Sequence, residues 1–268
     1  MSKKRVRIAD IQTSALLYYD PDFQTESYQF CRDRKIDCLP LVGDDTAFYK
    51  RNDDTAGFEP RKITAERKIN ASTFIFRPDL LERFRQHPLL FVFENDELTG
   101  VVHFSDYNKR VVSNYLFSLL FDYEKSLRTL ATLSRLTNED MGAYFEEKLA
   151  AAQAKGKKVE YFENKVGYYQ RKQYEMKRLP EFQVFYLEDL ISLLNHREVM
   201  DLNGSVRDLR NAIMHAHELV DMVDVTTPDF IYDFESFKIF FERVQIFLHD
   251  AQRVKNRIVF VSRTELPT

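Results

Sequence analysis

The sequence predicts an α+β protein in which a mixed α/β region, residues 1–112, is followed by an all-helical region, residues 113–268. Three observations carry that expectation. The N-terminal part holds apolar runs of strand length at 38–42, 89–93 and 100–104, alternating with polar stretches of helical spacing, the pattern of strands packed beside helices. Later apolar residues recur every three or four positions over 138–155, 159–176, 182–194, 206–220 and 234–255, which predicts amphipathic helices in a bundle. Between the two regions, 106–117 runs into 118–136 with neither Gly nor Pro, so the division falls inside helical sequence.

The N-terminal elements read as two repeats. The first is Asp20-Pro21-Asp22-Phe23-Gln24-Thr25-Glu26, a helix through Arg34, then Lys35-Ile36-Asp37-Cys38-Leu39-Pro40-Leu41-Val42. The second closes on Glu94-Asn95-Asp96-Glu97-Leu98-Thr99-Gly100-Val101-Val102-His103-Phe104-Ser105-Asp106, a strand, turn, strand and helix start. This pair of repeats resembles a tandem CBS domain. The resemblance implies that Ser105 and Asp106 hold the ribose of an adenine nucleotide effector, with backbone N–H groups favouring its phosphate. His103 stands where Thr is common in that family, and 47–53 in the first repeat lacks the Gly and Thr and keeps only Asp53. Asp106 reads equally well as an acid at a helix start, stabilised by the helix dipole.

The run 206–220 is the most informative of the helical ones. At about 100° per residue, Val206, Leu209, Ile213, Ala216 and Val220 share a buried side, with Ala212 and Leu219 at its edge, while Arg207, Arg210, Asn211, Met214, His215 and Glu218 face outward. His217 lies near the edge of the apolar stripe, where packing explains it. Asn203-Gly204 is a turn pair, and Ser205 followed by Asp208 predicts a capping box at the helix start. Asn211 lies one turn from His215. Arg210 lies roughly 140° round the wheel from His215, so a second helix, as supplied by a two-fold dimer, is needed to bring both to one phosphate.

Arg210-Asn211-Ala212-Ile213-Met214-His215 resembles the signature of the HEPN superfamily, and Phe121-Asp122-Tyr123-Glu124-Lys125-Ser126-Leu127-Arg128-Thr129-Leu130 is similar to that family's acidic, leucine-rich first helix. Arg243 to His249 has a comparable spacing but Val244 follows the Arg. The resemblance implies a metal-independent endoribonuclease, with no cofactor for catalysis, acting as a homodimer on RNA. A ribose 2′-hydroxyl attacks the adjacent phosphate and leaves a cyclic phosphate and a free 5′-hydroxyl. His215 moves a proton, Arg210 neutralises charge on the phosphoryl oxygens, and Asn211 orients His215 or the phosphate. A nucleotide bound to the first region would act on the second through the helix that joins them. The competing reading is a non-catalytic module that senses an adenine nucleotide and docks on a partner protein; another is a toxin silenced by a separately encoded antitoxin.

A net charge of −3 gives no general attraction to nucleic acid, so contact with RNA requires a local basic patch. Such a patch runs from Lys155 to Arg178, where Lys155, Lys157, Lys158, Lys165, Arg171, Lys172, Lys177 and Arg178 alternate with Tyr161, Phe162, Tyr168, Tyr169 and Tyr174. The same residues describe an amphipathic helix with a solvated face. Cys31 and Cys38 are too few and wrongly spaced for zinc and are expected to be free thiols. Charged residues interrupt the N-terminal run, and no stretch reaches membrane-spanning length, so a cytoplasmic protein is expected.

Overall fold

The computed structural model describes residues 5–34, 36–214, 218–222 and 232–264. It is a mixed α+β structure, with its sheets N-terminal and its long helices C-terminal. The chain divides into two compact units: Met1–Tyr115 together with Ala216–Glu242, and Leu116–His215 together with Arg243–Thr268.

In the first unit, α1 (Ile8–Ile11) and α2 (Gln24–Asp33) precede an antiparallel sheet of β1 (Cys38–Leu41), β2 (Asp44–Asn52) and β3 (Gly57–Lys62). A second sheet follows, of β4 (Lys68–Asn70), β5 (Leu89–Glu94) and β6 (Glu97–His103), with α3 (Asp79–Gln86) between β4 and β5. β4 lies parallel to β5, and β5 antiparallel to β6. The first half repeats this plan in reduced form: Tyr19 bridges Leu41 in parallel, α2 intervenes, and β1 turns back into β2. The β1–β2 and β5–β6 hairpins each turn on two residues. Val42-Gly43 uses Gly43 at φ +73°, and Asn95-Asp96 takes φ +50° and +67°, left-handed values that Asn and Asp tolerate and that suit strand twist.

Each apolar run of the N-terminal part lies at least partly in a strand. Phe48 and Ile63 on the first sheet's side meet Phe91, Phe93 and Leu98 of the second in one buried cluster, with the Phe48 and Phe91 rings 5.0 Å apart. The Leu98 N–H donates to Asp45 Oδ2 at 2.9 Å across the same boundary. Cys31 and Cys38 are free thiols, and burial pushes the Cys38 pKa up to about 11.

Gly100 marks a close approach that no other residue type permits without movement. A Cβ there would lie 2.8 Å from the Thr13 carbonyl oxygen, and Thr13 is held by paired backbone bonds to Val101 of 2.8 and 3.0 Å. Gly100→Ala should therefore cost about 1–3 kcal/mol as an overpacking change. Chemical denaturation would register it as a lower midpoint with an unaltered slope; an unchanged midpoint would contradict the packing account.

The helix start expected at Ser105 and Asp106 is a single 3₁₀ turn, Phe104–Asn108, after which α4 (Arg110–Leu133) begins. Chain from the far end of the sequence completes this unit. The Asn108 side chain receives the N–H groups of Leu219 and Val220, both at 2.8 Å, and donates to the Val220 carbonyl at 2.9 Å. Phe237 packs against Tyr107, Phe84 and Phe104, with ring separations of 5.0, 5.6 and 5.4 Å. Phe76 meets Phe240 and Phe241 at 6.1 and 5.9 Å.

The second unit is helical among its described residues. It contains the greater part of α4, then α5 (Asn138–Ala154), α6 (Glu160–Met176), α7 (Leu187–His196), α8 (Val206–Met214), and most of α9 (Phe234–Thr264). α5 starts with a capping box, in which the Thr137 N–H donates to Asp140 Oδ2 at 2.9 Å. α7 starts five residues later than periodicity suggested. Phe182 takes φ +64°, and the 182–185 segment is instead held by Arg128, whose guanidinium donates to the carbonyls of Phe182 and Phe185, both at 3.1 Å. No helix among the described residues is long and apolar enough to cross a membrane.

Candidate functional site

α8 presents the faces that its spacing predicts. Val206, Leu209 and Ile213 are buried, Arg207 and Met214 are exposed, and Arg210 and Asn211 are half-buried. Two expectations about this segment need correction. The described helix ends at Met214, and Leu219 and Val220 form a bend, so Val220 is buried in the first unit and not on an extended α8 stripe. The Ser205–Asp208 capping box does not form: the Ser205 N–H donates to Asn203 Oδ1 at 2.8 Å, and Ser205 Oγ is buried without a hydrogen bond. Asp208 is drawn away by two cations, Arg207 at 3.6 Å and Arg243 at 3.7 Å.

Arg210 and Asn211 line a cleft of about 230 Å³ together with Lys165 of α6, Tyr186 and Glu188 at the start of α7, and Arg207. Two of its three cations are matched by carboxylates. Arg207 pairs with Glu188 at 3.0 Å, and Glu188 also lies 3.4 Å from the Tyr161 hydroxyl. Lys165 pairs with Asp189 at 2.5 Å, a carboxylate only 3% exposed. Burial pushes the Asp189 pKa up, while the Lys165 ammonium and the Tyr186 N–H, which donates at 3.3 Å, pull it back. Arg210 is different. Among the described residues it makes one hydrogen bond, from Nη1 to Asn211 Oδ1 at 3.2 Å, and no carboxylate among them pairs with it.

Among the described residues the cleft thus offers one uncompensated guanidinium, beside a neighbouring amide and two paired cations. A guanidinium presents parallel donors to two oxygens of a phosphate, and the partial enclosure strengthens that attraction relative to open water. His215, expected from the sequence to move a proton, lies outside the described residues, as do Ala216 and His217.

Ser105 and Asp106 are engaged within the first unit. Asp106 Oδ2 accepts the His103 N–H at 2.7 Å, and Oδ1 pairs with Lys109 at 2.9 Å. Ser105 Oγ lies 2.7 Å from His103 Nδ1, which also receives the Ser105 N–H at 3.1 Å. Burial lowers the His103 pKa, favouring the neutral ring that such acceptance requires. Asp53, its counterpart in the first repeat, accepts the Tyr28 hydroxyl at 3.0 Å and pairs with Arg51 at 3.0 Å.

The basic and aromatic residues of α6 separate into two sets. Lys165 turns inward to Asp189, Tyr168 donates to the Val184 carbonyl at 2.7 Å, and the Tyr169 ring lies where a Cβ on Gly142 would stand. Tyr161 and Tyr174 remain exposed, and Arg178 covers the Tyr174 ring at 4.3 Å. Lys165 and Glu188 were not legible as neighbours of Arg210, because their meeting depends on how α6, α7 and α8 pack. No protein-family model, curated protein or solved structure matches this chain.

Proposed function

We propose that the chain is a metal-independent endoribonuclease of HEPN type, with the α8 cleft as its phosphate-binding site. The observation that carries this reading is Arg210, uncompensated among the described residues and held beside Asn211 in a polar cleft. In the proposed reaction a ribose 2′-hydroxyl gives its proton to a base and attacks the adjacent phosphorus. The bond to the 5′-oxygen breaks, that oxygen takes up a proton, and a cyclic phosphate remains. Arg210 stabilises charge gathering on the non-bridging oxygens, and His215 serves in proton transfer, a task to which the imidazole side chain is suited. A homodimer supplies the His215 of one copy to the Arg210 of the other.

The β4-α3-β5-β6 order of the first unit, with its reduced counterpart from the Tyr19 bridge through α2, β1 and β2, supports its reading as a CBS-like pair. A nucleotide bound at Ser105 and Asp106 would have to displace their present bonds to His103 and Lys109, so no nucleotide requirement is built into the proposed reaction.

Purified protein incubated with mixed RNA in EDTA tests the reading. Wild type should cleave, leaving 5′-hydroxyl ends. Arg210→Ala should slow cleavage about 100- to 1,000-fold, the usual cost of removing one donor to a developing charge, and His215→Ala should abolish it. RNA left intact by wild type, or cut equally fast by Arg210→Ala, refutes the proposal.

A further inference from the structure

Tyr186 and Tyr161 expose 56% and 49% of their surface beside the cleft although both are aromatic. The Lys165 ammonium sits between them in chemical terms, 5.9 Å from the Tyr186 ring centroid and 5.6 Å from that of Tyr161. Neither ring is free to wander. Tyr186 is the residue that caps α7, and the Tyr168 ring lies 6.2 Å from it, with Tyr168 itself tied by its hydroxyl to Val184. Tyr161 is tied to Glu188 and keeps its proton, its pKa pushed up to about 12 by burial and by the carboxylates of Glu188 and Asp189. Positioned, half-exposed rings beside a cation are the arrangement on which unpaired bases stack.

Charge selects among phosphate ligands. Lys165 with Asp189 and Arg207 with Glu188 cancel, which leaves one positive charge, at Arg210, among the described residues of the cleft. One phosphodiester carries one negative charge; a free nucleotide di- or triphosphate carries several and would be poorly matched. Further cations lie along the chain rather than deeper in the cleft. Lys157 and Lys158, exposed and without an ion pair among the described residues, precede Tyr161 by a few positions in the loop that enters α6.

Building on the RNA reading above, we propose that Tyr186 and Tyr161 form a nucleobase platform beside the Arg210 phosphate site and that Lys157 and Lys158 take further phosphates of the same strand. The ligand is then a single RNA strand with its bases unpaired. A duplex is excluded because a base stacked in its own helix cannot lie on Tyr186.

The full chain is titrated into a fluorescein-labelled, fully 2′-O-methylated RNA oligonucleotide, which has no hydroxyl to attack, and anisotropy reports binding. Tyr186→Ala should weaken binding about 5- to 150-fold, as for loss of one stacked base, while still melting cooperatively, because more than half of the residue is exposed. Tyr186→Phe should bind like wild type. The same oligonucleotide annealed to its complement should bind more weakly, and Lys157→Ala with Lys158→Ala should flatten the log-log salt slope by about 1.4, or 0.7 for each single-strand phosphate. Equal affinity of Tyr186→Ala and wild type, or of single strand and duplex, overturns the platform. If Arg210-dependent cleavage persists in that case, the ribonuclease reading stands without it; RNA neither bound nor cut removes both.

Discussion

A fragment comprising residues 1–115 is expected to remain unfolded, although it contains both sheets. The first unit is completed by described residues of 218–242. Without them, Tyr107 and Phe84, both fully buried, lose Phe237, and Phe76 loses Phe240 and Phe241. Truncating one buried Phe to Ala costs about 3–5 kcal/mol. Removing three together reaches or exceeds the roughly 5–15 kcal/mol by which a domain is stable. Asn108 also loses the three hydrogen bonds that satisfy its amide, a further cost for a half-buried polar group. Phe237→Ala in the whole chain isolates the largest part of the effect and should lower stability by about 3–5 kcal/mol. Thermal melting followed by circular dichroism compares the two with wild type. A cooperative melt from the 1–115 fragment would show that the C-terminal aromatics are dispensable.

The same feature explains what local pattern can and cannot convey. β1, β5 and β6 were legible because apolar residues cluster in their buried parts, as in Leu90 to Phe93. β2 has only Phe48 buried along nine residues and β3 only Gly57 along six, so neither offers an apolar run to a sequence reading. The start of α7 was misplaced because Phe182 and Phe185, three apart and both buried, have helical spacing without helical backbone; Phe182 is held at positive φ while its carbonyl is taken by Arg128. α9 reads correctly as one amphipathic helix, yet its first turns supply the core of one unit and its later turns belong to the other. Periodicity gives the face of a helix, not its neighbour. The same limit holds at the site. The outward set of α8 follows from 100° per residue, and Arg210 and Asn211 do stand together. Which cations would be cancelled was not legible, since Lys165 meets a carboxylate 24 positions away and Arg207 one 19 away. The unsatisfied Ser205 hydroxyl shows a local motif losing to such pairing, with Asp208 committed to Arg207 and Arg243.

Lys165→Met should be the most destabilising single substitution around the cleft. It keeps most of the apolar stem and removes the ammonium, leaving Asp189 buried at 3% exposure with, among the described residues, only the Tyr186 N–H to support its charge. Breaking a buried pair from one side costs about 3–5 kcal/mol, which for a chain of this size lowers the melting temperature by about 6–20 °C. The pH dependence identifies the cause. Burial raises the folded pKa of Asp189 above its ordinary value, so the folded chain holds that proton to higher pH than the unfolded chain does. Stability linked to this group is complete below the ordinary carboxyl range and declines as pH rises through the raised value. Loss of Lys165 raises it further. The penalty of Lys165→Met should therefore be largest at neutral pH and shrink towards about pH 4, where carboxyl groups take up protons. Lys165→Met with Asp189→Asn should recover much of the loss, because the amide needs no counter-charge and its oxygen can still accept the Tyr186 N–H. Differential scanning calorimetry of the two variants at both pH values decides the matter: a penalty that is equal at the two pH values, or undiminished in the double variant, would mean that lost packing and not the stranded carboxylate is responsible.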